Sequence, residues 1–244
     1  INVSASGGTE TGSYFAGLGY DNTVGILRGN SMNKFNGKLS LDQNPTDKFS
    51  YGMNMNFMRT YLDRVENDNA FATPLQLVAQ APITPVYDPD TGELNKNTIY
   101  YNGLISLRDS YNHQTTYRTL GNVYGTYEIV KGLSFRSDFG VDIIDMREKS
   151  FWGRETIGAG PAGEAQNRSV RVTNYNWDNY MTYNLVKDDH DLTLVGGMSY
   201  QESMTTGSNI IGKGFPTDDF QNIANAAEAT LFSSWEEGTT YLSY

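Results

Sequence analysis

Residues able to do acid–base or metal chemistry fall into three arrangements in this chain. The first is Asp88-Pro89-Asp90-Thr91-Gly92-Glu93, three carboxylates in one short run. Hard cations are held by such oxygen donors, but the spacing departs from that of the EF-hand. Pro-Asp-Thr-Gly is ordinary turn chemistry, so a turn is expected here and no metal is assigned. The second is the histidine pair His113 and His190, far apart in sequence and both near the ends of expected strands. Such a separation argues against a shared metal site or a catalytic base. The third is the set Arg118, Glu128, Arg136, Asp138 and Asp142. These could be acid–base pairs; the expectation is a polar wall whose opposite charges pair across neighbouring strands. No catalytic, cofactor-binding or metal residue is therefore assigned, substrate-binding residues stay open, and the chain is read as not an enzyme.

The elements that carry the third set are two alternating segments in residues 116–146, joined at Lys131-Gly132. Tyr117, Thr119, Gly121, Val123, Gly125, Tyr127 and Ile129 share one face, and Arg118, Asn122, Thr126 and Glu128 the other. Leu120 and Tyr124 are the exceptions. In the second segment Leu133, Phe135, Ser137, Phe139, Val141 and Ile143 oppose Ser134, Arg136, Asp138, Gly140 and Asp142. A period of two is the signature of a strand, because successive side chains point to opposite faces. Both segments run well past the length usual in soluble sheets.

Composition points the same way. Aromatics make up 13% of 244 residues, led by 17 tyrosines, and charged residues only 19%. An apolar band diluted by a polar lumen has this profile, and so does a secreted β-sandwich. No apolar run approaches the length of a spanning helix. A net charge of −10 argues against nucleic acid, which is bound through excess Lys and Arg. With no cysteine there is no disulfide framework, thiol nucleophile or zinc–thiolate site. Ile1 enters an alternating segment directly, and residues 239–244 stop where another strand is starting. An internal piece of a longer chain is expected.

Further strands are expected over residues 1–6, 13–20, 34–43, 49–57, 174–185 and 192–200. Between them lie turns at residues 7–12, 44–47, 131–132 and 187–190. The longer connections are residues 21–31, 63–115, 148–168 and a final loop of some 35 residues. Thr73-Pro74 is expected to start a short helix over residues 73–79, since Thr caps well and Pro suits the first helical position. A second short helix is expected near residues 220–229, capped by Asp218 or Asp219. Short and long connections alternate strictly, as in an outer-membrane barrel with short periplasmic turns and long extracellular loops. The fold expected is all-β: an antiparallel transmembrane β-barrel segment of eight or nine strands. Its apolar faces carry no Lys or Arg, which would cost about 2–4 kcal/mol at mid-bilayer. Tyr20, Tyr51, Tyr117, Tyr127, Trp177 and Tyr183 suit interfacial girdles. Phe71, Tyr87, Tyr100, Tyr101 and Trp152 lie in loops, where packing is favoured over stacking on sugars.

Several stretches resemble one family. They are Ser6-Gly7-Gly8-Thr9-Glu10 through Ser13-Tyr14-Phe15-Ala16-Gly17-Leu18-Gly19-Tyr20, with Val24-Gly25-Ile26. The second is Asn67-Asp68-Asn69-Ala70-Phe71-Ala72-Thr73-Pro74-Leu75-Gln76-Leu77 followed by Ala81-Pro82-Ile83-Thr84-Pro85-Val86-Tyr87-Asp88. The third is Gly214-Phe215-Pro216-Thr217-Asp218-Asp219-Phe220-Gln221. In order and spacing they are similar to the SusC/RagA family of TonB-dependent outer-membrane transporters of Bacteroidetes-type bacteria.

The resemblance implies a barrel of roughly 22 strands, of which residues 1–244 supply part. The plug, N-terminal extension and remaining strands would lie outside this chain. It implies TonB-energised import of oligosaccharides or peptides, as the channel half of a complex with a SusD-like surface lipoprotein. Implied partners are that lipoprotein, the TonB-ExbB-ExbD complex, outer-membrane lipid, the barrel-assembly machinery and a glycan or peptide substrate, with no cofactor. The alternative is a non-transporting surface or adhesion β-protein with long binding loops. An all-β glycan-processing enzyme would need a paired-carboxylate constellation, which the sequence does not present.

Overall fold

Among the described residues the alternation becomes nine antiparallel strands in strictly sequential order. They are β1 (Asn2–Thr9), β2 (Gly12–Val24), β3 (Ser31–Thr46), β4 (Phe49–Asp63), β5 (Ser110–Val130), β6 (Leu133–Trp152), β7 (Glu164–Lys187), β8 (His190–Lys213) and β9 (Glu228–Ser243). A seven-residue helix α1 (Gly103–Asp109) precedes β5, and a single 3₁₀ turn, Ile223–Asn225, lies before β9. The computed structural model describes residues 1–65, 78–100, 102–156 and 162–244.

The order of short and long connections is as read from sequence, but the strands are longer. Gly7 and Gly8 belong to β1, paired with Tyr14 and Ser13, so the first turn is only Glu10-Thr11. The connection expected over residues 21–31 shrinks to 25–30. Strand β3 continues to Thr46 through a bulge containing Pro45, and the turn is Asp47-Lys48. Proline lacks the N–H of a regular ladder, so a bulge suits it. The region expected to be irregular over residues 63–115 contains α1, capped by Asn102, and the start of β5. The loop over residues 148–168 narrows to 153–163 because β6 runs to Trp152 and β7 starts at Glu164. Most of the final loop is strand. Only the 3₁₀ turn stands where a helix near residues 220–229 was expected, and Asn222 caps it in place of Asp218 or Asp219. The helix expected over residues 73–79 lies almost wholly outside the described residues.

Turn positions reveal how the strands are inclined. Tyr20, Phe35, Arg59, Tyr117, Asp145 and Arg171 form one row of directly paired residues across β2 to β7. Gly12 lies eight residues below Tyr20, Phe49 ten below Arg59, Val130 thirteen below Tyr117, and Lys187 sixteen below Arg171. The four hairpin turns thus step down the rows by eight residues over six strand spacings, about 1.3 per strand. At about 3.3 Å rise and about 4.8 Å spacing, turns lying in one plane require strands tilted by about 42°. This is the stagger of a barrel wall.

Counting upward from the turns gives the height of the apolar face. Its first Asp, Glu, Lys or Arg past the turn residues is Arg59 in β4, ten residues above Phe49. In β6 it is Asp145, twelve above Leu133, and in β8 Glu202, twelve above His190. With the tilt above, ten to twelve residues rise about 25–29 Å, against an apolar band of about 25 Å in outer-membrane barrels. Tyr51, Tyr127 and Tyr183 lie near the lower edge of this band, Tyr20, Tyr117 and Trp177 toward the upper. Above it β5 to β8 keep climbing: β7 reaches twenty-three residues above its turn, while β4 stops at fourteen.

Within the band the apolar face is uncovered, with Phe57, Val123, Phe139, Trp177 and Leu194 all 40–55% exposed. Among the described residues the buried hydrophobic ones are Ile105, Phe151, Ala165 and Phe215, all at the loop end of the sheet. There Phe215 meets Phe151 edge-on at 5.2 Å, and Ile223, Ala226 and Tyr111 close the cluster. Among the described residues no helix is long and apolar enough to cross a membrane.

Candidate functional site

The polar face of β3 to β8 brings the charged set of the central hairpin together. Arg118 and Asp142 are not direct partners: their rows differ by two residues, which is the diagonal reach of a long side chain on one face. The guanidinium forks onto the carboxylate, Nε to Oδ1 at 2.9 Å and Nη2 to Oδ2 at 2.8 Å. Arg136 lies over the Tyr124 ring at 3.9 Å and donates to Asp138 Oδ2 at 3.0 Å. That stacking explains the tyrosine on the polar face, where it broke the apolar alternation. Tyr124 O–H donates to Asp42 across two strands. Asn122 donates to the other oxygen of Asp138 at 2.9 Å.

Asp138 and Asp178 are directly paired across β6 and β7. Like charges in that position repel. Arg136 and Asn122 serve the first carboxylate, while Asn176 and Ser199 donate to the second. Every acceptor is met by a donor fixed on the sheet. Glu128 is the exception among the expected wall charges: its Oε1 accepts from Gly132 N–H at 3.2 Å and so closes the Lys131-Gly132 turn.

The remaining candidates separate. His113 Nε2 lies 3.1 Å from Asp63 Oδ1 and its ring stacks on Tyr111 at 4.5 Å. His190 begins β8 beside the opposite, turn end of the sheet, paired with Lys187. Asp88 holds a turn: its Oδ1 accepts from the N–H of Asp90 at 2.9 Å and Thr91 at 3.0 Å, and Gly92 N–H donates to Asp88 O at 2.8 Å. These backbone donors hold the Asp88 carboxyl below the usual carboxylate range. Among the described residues no group of three or more His, Cys, Asp or Glu is arranged to hold a metal ion.

Long connections are tied down by polar contacts that alternation cannot reveal. Asn102 caps α1 and donates to Val86 O at 3.1 Å and Asn95 O at 3.2 Å; buried Asn95 in turn donates to Pro85 O at 3.0 Å. Asn102-Gly103 was the sequence signal for that cap. Glu155 receives Lys96 and Arg108, and both hold its carboxyl below the usual range, Lys96 most. Arg154 donates to Asp218 at 3.2 Å and joins the two loops above β6 to β8. A cleft of about 650 Å³ lies where β4 ends beside β5, lined by Leu27, Arg28, Val65, Leu107, Tyr111 and Trp152. Of the loop aromatics, Phe71 and Tyr101 fall outside the described residues, and Tyr87 is 60% exposed. Trp235, which sequence reading left in a loop, stands on the polar face of β9.

No protein-family model matches the sequence. The chain is 26% identical over 236 residues to TonB-dependent receptor P26 of Formosa agariphila, covering 92% of this chain and 23% of the relative. It is 27% identical over 259 residues to TonB-dependent receptor P3 of the same organism, covering 99% and 25%. The chain therefore spans about a quarter of the curated relatives it matches. Among solved structures it shares the fold of the RagAB peptide transporter, with TM-score 0.82 and 20% identity over 99% of this chain and 28% of that one. The RagAB peptide importer in its open-open state gives TM-score 0.79, again at 20% identity.

Proposed function

We infer that the chain is a section of the barrel wall of a SusC/RagA-type TonB-dependent transporter, the premise for what its two faces do. One observation carries the reading: an apolar face ten to twelve residues tall, bounded below by staggered tight turns and above by Arg59, Asp145 and Glu202. On this reading the apolar face meets outer-membrane lipid. The polar network of Arg118, Arg136, Asp138, Asp142 and Asp178 lines the lumen. The rest of the protein supplies the remaining strands, which the two open edges require because unpaired backbone is not tolerated in lipid. It also supplies the plug.

Import is the function proposed for the whole protein. TonB-ExbB-ExbD would energise release of an oligosaccharide or peptide into the lumen from beneath a SusD-like surface lipoprotein. The tall loop end of β5 to β8 would face that partner. The relatives' names and the shared wall fold support this reading.

The wall is tested by substitution on each face in the full-length protein. Phe139→Arg or Val141→Arg should strongly reduce outer-membrane assembly, scored by heat-modifiable migration, while Asp138→Asn or Asp142→Asn should assemble. Equal tolerance at both faces would sink the reading. Import is tested by deleting the TonB-contacting segment of the full protein. Nutrient uptake should stop while surface display persists; uptake that continues unchanged would favour a non-transporting surface protein.

A further inference from the structure

Above the apolar band, the polar face of β7 to β9 carries a feature that the salt-bridged wall does not explain. Trp235 pairs directly with Gly207, seventeen residues above the His190 turn and five above Glu202. That puts it about 12 Å beyond the level of Glu202. Its indole lies flat across Gly207: a Cβ at residue 207 would fall 2.1 Å from Cζ2 and 2.3 Å from Cε2. Glycine is therefore the residue that lets the ring lean back over β8.

Arg168 lies over that ring, its guanidinium carbon 5.9 Å from the centroid. Glu148, the carboxylate directly paired with Arg168 across β6 and β7, is taken by Arg64 at 2.9 Å. Among the described residues Arg168 makes no ion pair. Every other polar-face arginine of β5 and β6 has a carboxylate partner. An exposed cation without an ion-pair partner, about a ring's width over an indole, is suited to a ligand with an apolar ring face and an anion on its rim. Met146 and Val170 continue the row and extend the apolar surface.

We propose that Trp235 and Arg168 form a stacking subsite for an anionic sugar ring, a pyranose bearing a carboxylate or sulfate, at the mouth of the lumen. The proposal rests on the importer reading, whose wall and transport tests do not involve these two residues. The C–H face of a pyranose packs on indole, and a guanidinium recognises carboxylate or sulfate ester by paired N–H donors. A peptide side chain that carries a carboxylate has no comparable flat apolar face.

The test uses the full-length transporter, purified with its lipoprotein partner and titrated calorimetrically. Four size-matched probes are used: an oligogalacturonate, a sulfated galactan oligosaccharide, maltohexaose and an acidic hexapeptide. At least one anionic saccharide should bind more tightly than maltohexaose and the peptide; which one separates carboxylate from sulfate. Arg168→Gln should weaken that saccharide about tenfold and leave maltohexaose unchanged. Trp235→Ala should weaken it about tenfold, and Trp235→Phe should recover most of the loss. Heat-modifiable migration shows that each variant is assembled; should Trp235→Ala fail to assemble, Trp235→Phe and Arg168→Gln decide. The proposal is overturned if neither anionic saccharide binds preferentially, if the peptide is preferred, or if assembled Arg168→Gln and the Trp235 variants bind as wild type does.

Discussion

A single residue's face decides what it can tolerate, and the polar wall shows why. Asp42 accepts from Tyr124, and Gly52 lies beneath both: a Cβ there would fall 2.6 Å from Leu41 O and 2.7 Å from the Tyr124 hydroxyl oxygen. Gly52→Ala should therefore cost about 1–3 kcal/mol, the usual penalty of an overpacked site. A lower urea midpoint for the assembled protein would register it, and an unchanged midpoint would contradict the contact. Asp88 offers a pH-dependent counterpart in the loops. Its folded pKa is depressed by the N–H groups of Asp90 and Thr91. The turn's extra stability is thus present above the unfolded carboxylate range, about pH 3.9, and disappears as pH falls through the lower folded value. Amide exchange at Asp90 and Thr91, corrected for intrinsic pH dependence, should quicken on acidification, and Asp88→Ala should remove that acid step.

Elements in this protein have different means of support along their length. Within the band, strands are held by ladder hydrogen bonds and cross-strand pairs, with no core behind the apolar face. Above it, the loop over residues 214–227 lays Phe215, Ile223 and Ala226 against Phe151 and Ala165. Phe215→Ala should release that loop at a cost of about 3–5 kcal/mol and leave the strands below intact. Faster proteolytic cleavage within residues 214–227, with unchanged assembly, is the expected pattern. Asp218→Asn should loosen the same region less, because it weakens the contact with Arg154 without emptying the cluster. Cleavage as slow as wild type in Phe215→Ala would show that the cluster does not hold the loop.

At the scale of the whole molecule, the stagger of the turns and the two open edges support the proposal that residues 1–244 are part of a larger barrel wall. Antiparallel pairing stops at β1 on one side and β9 on the other. Expressed alone with an export signal, this stretch should not give a heat-modifiable monomer in the outer membrane; a stable monomeric band would refute the need for further strands. The band of apolar side chains would then drive aggregation, since water cannot cover a patch of that size without cost.

The sequence by itself determined an all-β class of eight or nine strands, the order of short and long connections, and which face of the strands in the band is apolar. It could do so because a face that is apolar against one that is polar imposes a period of two, and that period survives along the band. Where both faces become polar above the band, that period fades. Expected strands consequently started only near Asn174 and stopped near Tyr200, although the ladder starts at Glu164 and continues to Lys213. Pairing of opposite charges along the polar wall was legible from parity; the fork of Arg118 on Asp142, the stack of Arg136 on Tyr124 and the direct opposition of Asp138 and Asp178 were not. Those depend on register between strands, which a run of residues does not encode locally. Trp235 over Gly207 brings together residues from two strands and a segment that had read as loop. Only tertiary structure fixes such neighbours, because hydrogen-bond register, not spacing along the chain, sets which side chains share a row.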